Sequence, residues 1–222
     1  MKRNIVSFGC SFVHSSHDDE NIKRANRGDT PTNPKKQHHI AKTGYNNGQE
    51  TCFTSELGEL IGTDTNNLGV GGSGIRSAIF KALHYIENNN KAFHSNIIIG
   101  LSELSRFDFI KPSIHLNRAK WPKLPMEDYA KYYDKQDVVF EIETLLKLTY
   151  SYFKEKNIPV LFINTMNVDI STKDIVPTFI FPNGMEYWRD YITSYDSTYR
   201  MEHPNIADHK HLAKLLVDKL DF

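Results

Sequence analysis

The chain has 222 residues, which is the size of one domain with room for a buried core. Hydrophobic residues make up 39% and charged residues 24%, and 27 Lys and Arg balance 27 Asp and Glu. This composition excludes an intrinsically disordered chain, and the balanced charge gives no field that would recruit nucleic acid or an anionic membrane. No apolar run approaches the about 20 residues of a membrane-spanning helix.

The two cysteines, Cys10 and Cys52, supply neither a disulfide framework nor a metal cluster. The first four residues lead directly into a β-rich run at 5–8, and this apolar run is too short for the core of a signal peptide. We therefore expect a single domain over 1–222 that is made and kept in the cytoplasm, although a virion-associated protein would have the same features.

Apolar patterns predict strands and helices that alternate along the chain. The first strand ends at Gly9, and Gly62 predicts the end of the first helix. Two continuous apolar runs are typical of strands buried on both faces of a parallel sheet. In chain order we predict a strand at 5–8, a helix from 51 to 62, a brief extended segment at 65–69, a helix at 75–87, a strand at 96–101, a helix at 138–153, a strand at 159–164 and a C-terminal helix through 212–220.

This alternation predicts an α/β fold with a central parallel sheet. Residues 14–50 differ from the rest because they are polar and rich in turn-forming residues. Loops of this length in a compact domain are usually functional, so we predict a long loop that borders the functional cleft. In open α/β sheets, functional residues gather at the carboxyl ends of the strands.

Ser11 lies just beyond the first predicted strand, where its hydroxyl can enter the cleft or simply cap a turn. The glycine cluster that follows the second extended segment matches G-x-G-x-x-G at Gly69, Gly71 and Gly74. A dinucleotide site would need an acidic residue about 20 positions further on, and none stands there. The other interpretations are a loop whose amides approach a developing negative charge, or a tightly packed turn.

Two further candidate functional residues lie at a predicted strand end or helix start. Arg106 follows the predicted strand at 96–101, where it can clamp a substrate carboxylate or pair with a neighbouring acid. His203 precedes the last predicted helix and can reach the cleft as a general base. We expect His209 and His211, at the start of that helix, to face solvent, and they have no third zinc ligand at a telling spacing.

Four segments, taken together and in order, resemble the SGNH (GDSL-like) hydrolases, a superfamily of esterases, lipases and carbohydrate deacetylases. The first resembling block is Phe8-Gly9-Cys10-Ser11-Phe12, with Cys10 where many members have Asp. The second is Asn67-Leu68-Gly69-Val70-Gly71-Gly72-Ser73, and the last is His203-Pro204-Asn205 with the residues that follow. The resemblance implies a three-layer α/β/α, flavodoxin-like fold. It also implies Ser11 as the nucleophile, His203 as the base and Gly72 as an oxyanion-hole amide.

The sequence departs from the family pattern at two positions. Ser102 stands where the third block normally supplies an Asn oxyanion donor, although a hydroxyl can also donate. Arg200 stands where the family places the Asp that orients the catalytic His. The candidates for this acid are Glu202, Asp196 and Asp190, and a second alternative is the D-x-x-H formed by Asp208 and His211.

The resemblance implies a serine esterase or acylhydrolase that acts on a small ester or an acylated glycan, without a metal or an organic cofactor. The balanced charge predicts no nucleic-acid partner, and the short apolar runs predict no membrane span. The alternative from another functional class is a binding or structural module of the same fold that has lost catalytic activity, for example one encoded by a phage. A nucleotide-binding enzyme is the third hypothesis.

Overall fold

A computed structural model describes residues 3–10, 52–70, 73–104, 135–168, 170–195, 204 and 206–220. The predicted loop at 14–50 lies wholly outside the described residues, and the predicted single domain over 1–222 lies partly outside them.

A parallel sheet of four strands forms the centre of the described structure, in the order β2-β1-β3-β4. Its strands are β1 (Asn4–Phe8), β2 (Thr65–Asn67), β3 (Ser95–Leu101) and β4 (Val160–Asn164). All seven residues of β3 are buried, as its continuous apolar run predicts. The register pairs Phe8 with Ile99, and Leu101 with Asn164, so these strands end near one another at the carboxyl edge of the sheet.

The four predicted helices are present as α1 (Phe53–Ile61), α2 (Ile75–Asn88), α3 (Lys135–Glu155) and α5 (Ile206–Leu216). The last of them begins earlier than predicted and ends at Leu216. A further helix, α4 (Trp188–Tyr195), was not predicted from the sequence. Gly62 ends α1 in the left-handed conformation, with φ 74°, and its N–H bonds the Gly58 carbonyl. This confirms the predicted glycine stop and the residue type that it requires.

Alternation along each strand separates two apolar clusters, one on each face of the sheet. Val6, Ile97 and Phe162 face the cluster that includes residues of α2 and α3. Their neighbours Ile5 and Ile98 face the cluster that includes residues of α1, α4 and α5. Since helices cover both faces, the predicted three-layer α/β/α architecture with a central parallel sheet is confirmed.

The two outer strands of the sheet have different surroundings. On one side β2 contributes only the three polar, half-buried residues Thr65–Asn67. On the other side β4 is flanked by the chain that follows it, because Phe162 donates its N–H to Pro177 and accepts the N–H of Phe179. Phe162 and Thr178 thereby form an isolated parallel bridge.

Candidate active site

The turn after β1 is held by contacts to the ends of two other strands. Gly9 has φ 155°, a conformation that favours glycine, and Cys10 is buried. The Cys10 Sγ lies 3.6 Å from Thr165 Oγ1, directly after β4. Thr165 in turn donates both its N–H and its hydroxyl to the carbonyl of Leu101, at the end of β3. The carboxyl ends of β1, β3 and β4 are therefore joined through Cys10, Thr165 and Leu101, and Cys10 is the residue before Ser11 in the sequence.

The glycine-rich segment after β2 is bonded to the same turn. The Gly9 carbonyl accepts the Val70 N–H at 2.8 Å, and the Ser73 Oγ lies 2.7 Å from the same oxygen. Ser73 is buried, and its carbonyl accepts the Ser102 hydroxyl at 3.3 Å. A chain of hydrogen bonds thus connects Gly9, Ser73 and Ser102, which belong to three separate blocks of the sequence.

Most of the predicted site residues lie outside the described residues. These are Ser11, Gly72, Arg106, Asp196, Glu202 and His203. Three of them have a covalent neighbour that is described: Cys10 precedes Ser11, Ser73 follows Gly72, and Pro204, which is buried, follows His203. Their roles therefore stay predictions.

Ser102 is the predicted oxyanion donor that the structure does place. It lies directly after β3, is 1% exposed, and directs its hydroxyl proton to the Ser73 carbonyl. A hydroxyl has one proton to donate, so Ser102 would have to rotate away from Ser73 before it could bond a substrate oxyanion.

His209 is buried, which contradicts our expectation that it faces solvent. It is 0% exposed, and its Nδ1 accepts the backbone N–H of Phe53 at 3.0 Å, at the start of α1. Its ring stacks on Phe53 and meets Trp188 edge to face. The helical spacing in the sequence indicates this burial, because His209 lies three, four and seven residues before the buried Leu212, Ala213 and Leu216, on the same helix face.

The D-x-x-H pair of α5 is not joined in the structure. Asp208 accepts a hydrogen bond of 2.6 Å from the Tyr195 hydroxyl, and the His211 Nε2 lies 2.8 Å from the Tyr191 hydroxyl. Each member of the pair therefore has a separate tyrosine partner. Asp190, the third candidate for the orienting acid, is exposed on α4.

A charged pair crosses the carboxyl edge near β3 and β4. Arg189 bonds Thr165 through its backbone N–H, and its guanidinium lies 3.9 Å from the Glu103 carboxylate. The two side chains are partly exposed, so this separation makes a weak, solvent-screened ion pair. It brings one positive and one negative side chain to the carboxyl edge of the sheet, near the ends of β3 and β4.

Three ionisable groups elsewhere have shifted pKa values with identifiable causes. Burial raises the pKa of Tyr85, against a smaller opposing effect of its hydrogen bond with Ser95. The hydrogen bonds from Arg76 lower the pKa of Glu141, and the hydrogen bond with Glu186 raises that of Lys173. None of these groups belongs to the hydrogen-bonded network around Gly9.

The described residues contain no group of three or more His, Cys, Asp or Glu side chains arranged to hold a metal ion. Within the same ranges, every helix is too short or too polar to cross a bilayer.

Comparison with known proteins finds similarity at the level of structure. No family model and no curated protein sequence matches the chain. A solved structure from Desulfitobacterium hafniense DCB-2, assigned to the lipolytic G-D-S-L family, superposes with a TM-score of 0.51 at 9% identity, over 99% of this chain and 100% of the other. LAE5, an alpha/beta hydrolase enzyme from the metagenome of Lake Arreo, Spain, superposes with a TM-score of 0.50 at 11% identity, over 97% of this chain and 94% of the other. The chain therefore has the α/β/α fold of the SGNH (GDSL-type) hydrolases.

Proposed function

We propose that this chain is a serine esterase of the SGNH type that hydrolyses a small carboxylic ester or an O-acetylated glycan. In this proposal Ser11 is the nucleophile and His203 the general base. The observation that carries it is the hydrogen-bonded network that joins Gly9, Ser73 and Ser102, because these residues adjoin or form three of the four blocks that resemble the family.

The proposed reaction is acyl transfer through a covalent intermediate. The Ser11 Oγ attacks the ester carbonyl while His203 removes the hydroxyl proton, and a tetrahedral oxyanion forms. His203 then gives that proton to the leaving alcohol, and an acyl-enzyme remains. Water attacks the acyl-enzyme with His203 again as the base, which releases the acid and restores Ser11.

The backbone amides of Ser11 and Gly72 are the proposed oxyanion donors, with Ser102 as a third donor after rotation. One such donor is typically worth about 3 kcal/mol of transition-state stabilisation. The contacts of Gly9 support this arrangement, because they bond the turn before Ser11 directly to the residue after Gly72. A shift of the turn at Gly9 would therefore also move Val70 and Ser73, the described residues on either side of the segment that contains Gly72.

The remaining predicted residues belong to substrate binding and to the orientation of the base. We propose Glu202 or Asp196 as the acid that orients His203, since Asp190 is exposed and Asp208 is engaged by Tyr195. Arg106 is proposed to contact the substrate. The proteins of similar fold, one of the lipolytic G-D-S-L family and one a hydrolase enzyme, agree with an ester as the substrate class.

Hydrolysis of p-nitrophenyl acetate and butyrate by the wild type, Ser11→Ala and His203→Ala tests the proposal. Both substitutions should abolish turnover and suppress labelling by a fluorophosphonate probe, because the probe reacts with the Ser11 hydroxyl that His203 activates. Matched controls are Ser171→Ala and His84→Ala, two exposed residues that have no part in the proposed site, and both should keep wild-type activity. Far-UV circular dichroism shows whether each variant is folded.

A folded wild type that neither turns over these esters nor reacts with the probe would contradict the esterase proposal. The same result would favour the degenerate binding module. Stabilisation of the chain by nucleotides in a thermal-shift screen would favour the nucleotide-binding alternative instead.

A further inference from the structure

The junction of α1 and α5 contains a histidine side chain that water does not reach. His209 of α5 is 0% exposed, and its Nδ1 accepts the backbone N–H of Phe53 at 3.0 Å. Phe53 is the first residue of α1, so its N–H is one of those that a helix cannot pair within itself. The imidazole therefore caps the start of α1 from another helix.

This hydrogen bond requires one protonation state of the ring. A neutral imidazole has one nitrogen that donates and one that accepts, whereas both nitrogens of the charged form donate. Because Nδ1 accepts the Phe53 N–H, the proton of the neutral His209 ring is on Nε2, and that atom is buried as well. A second proton can add only at Nδ1, where it would displace the Phe53 N–H. Protonation of His209 and closure of the junction therefore exclude each other.

The side chains around the ring also favour its neutral form. The Phe53 ring stacks on it, with centroids 6.2 Å apart, and Trp188 of α4 meets it edge to face at 5.2 Å. Both neighbours are themselves buried, with 0% and 1% exposed. A charged ring in this position would lose its hydration, and burial of this kind disfavours the charged form of histidine.

Ionisable side chains on the elements around His209 have identifiable partners or lie in solvent. Asp208, the residue before it, is buried and accepts the Tyr195 hydroxyl, so its carboxylate is directed to the end of α4. Lys210, the residue after it, is exposed and lies 3.9 Å from Glu56 of α1. The four strands contain no ionisable residue. The other charged residues and histidines in the described parts of α1, α4, α5 and the 3₁₀ turn Val217–Lys219, all exposed except the half-buried Arg189, are Glu59, Arg189, Asp190, His211, Lys214, Asp218 and Lys219.

We propose that His209 is a pH-sensitive switch at the junction of α1 and α5. In its neutral form the ring caps α1 and packs against Phe53 and Trp188. When it binds a proton it leaves this position, and the start of α5 separates from the start of α1. A histidine that is open to water titrates at about pH 6.5, so the switch responds between neutral and mildly acidic pH. This role belongs to the fold and does not depend on the proposed esterase activity.

Urea unfolding of the full chain at pH 7 and pH 5 tests the switch. Since the folded chain keeps His209 neutral and the unfolded chain does not, unfolding takes up a proton in this range, and stability falls as the pH decreases. For an unfolded-state pKa of about 6.5, the unfolding equilibrium constant becomes about 25-fold larger at pH 5 than at pH 7 through this residue alone.

His209→Asn is the variant that separates this contribution from those of other groups. The Asn side chain keeps an oxygen to accept the Phe53 N–H and takes up no proton, so the variant should lack this part of the pH dependence. His84→Asn makes the same change at an exposed histidine of α2 and should keep it. An equal pH dependence of the wild type and His209→Asn would overturn the proposal.

Hydrogen exchange of the wild type decides the question if His209→Asn does not fold. Exchange of the Phe53 amide, followed by NMR and corrected for its intrinsic dependence on pH, reports how often the junction opens. We expect its protection to fall by about 25-fold between pH 7 and pH 5. Protection that stays unchanged over this range would overturn the switch, whatever the esterase assays show.

Discussion

The buried hydrogen bond from the Phe53 N–H to His209 Nδ1 leads to a quantitative prediction for stability. His209→Leu removes the acceptor and leaves this N–H buried, which costs about 1–3 kcal/mol. It also removes the ring contacts with Phe53 and Trp188, worth about 0.5–1.5 kcal/mol each. We expect a loss of about 3 kcal/mol in the free energy of unfolding, or roughly 10 °C in Tm for a domain of this size.

His209→Asn is the matched variant, because Asn branches as Leu does and carries an oxygen near the position of Nδ1. Both variants lose the ring contacts, so the difference between them reports the acceptor. We expect Asn to be more stable than Leu by about 1 kcal/mol or more, although burial of the apolar side chain alone would favour Leu. Urea unfolding followed by circular dichroism measures both free energies. Equal stability, or a more stable Leu variant, would refute the argument that the acceptor stabilises the junction of α1 and α5.

Two further predictions concern packing and pH. In an unhindered helix, Gly58→Ala would raise the free energy of unfolding by about 1 kcal/mol. In this protein a Cβ at residue 58 would lie 2.2 Å from Thr65 Cγ2 and 2.9 Å from the Thr63 carbonyl oxygen. Because both contacts are too close, we expect Gly58→Ala to lower the free energy of unfolding by about 1–3 kcal/mol, as measured by thermal or urea unfolding. Thr65→Ser in the same chain should recover part of that loss, and strict additivity of the two changes would contradict the steric explanation. Arg76 donates two hydrogen bonds to Glu141, and these bonds lower the pKa of Glu141 from its usual 4.5. The pair therefore stabilises the fold at pH values above 4.5, and this stabilisation is lost as the pH falls through the lowered pKa. Because Glu141 is half exposed, Glu141→Gln should cost no more than about 1 kcal/mol at pH 7 and nothing in strong acid; a cost that does not change with pH would count against the pair.

The fold was predictable because its strands and helices have strong local patterns. The continuous apolar run of β3 identified a central strand, and the αL requirement of Gly62 identified the end of α1. Alternation of these elements then leaves few arrangements besides a parallel sheet with helices on both faces.

The contacts of the candidate site were less predictable, because they join residues far apart in the sequence. Nothing local to Cys10 indicates that its thiol meets Thr165, and nothing near Tyr195 identifies Asp208 as its acceptor. His209 is a different case, since its helical spacing from Leu212 places it on the apolar face of α5, whereas its place at the helix start suggested exposure. The residues that carry the resemblance to the SGNH hydrolases were identified in combination, and their catalytic roles await the kinetic test.

The two outer strands of the sheet bear on how copies of this protein coexist in concentrated solution. With a formal net charge of 0 and an isoelectric point near 7.2, neighbouring molecules do not repel one another as wholes at neutral pH. Unpaired strand edges are the usual template for intermolecular β-sheet growth. Among the described residues, one edge is the short polar segment Thr65–Asn67, and the other is occupied by the bonds between Phe162 and the chain at 177–179. We therefore expect substitutions that lengthen β2 or release the segment beside β4 to promote aggregation at neutral pH.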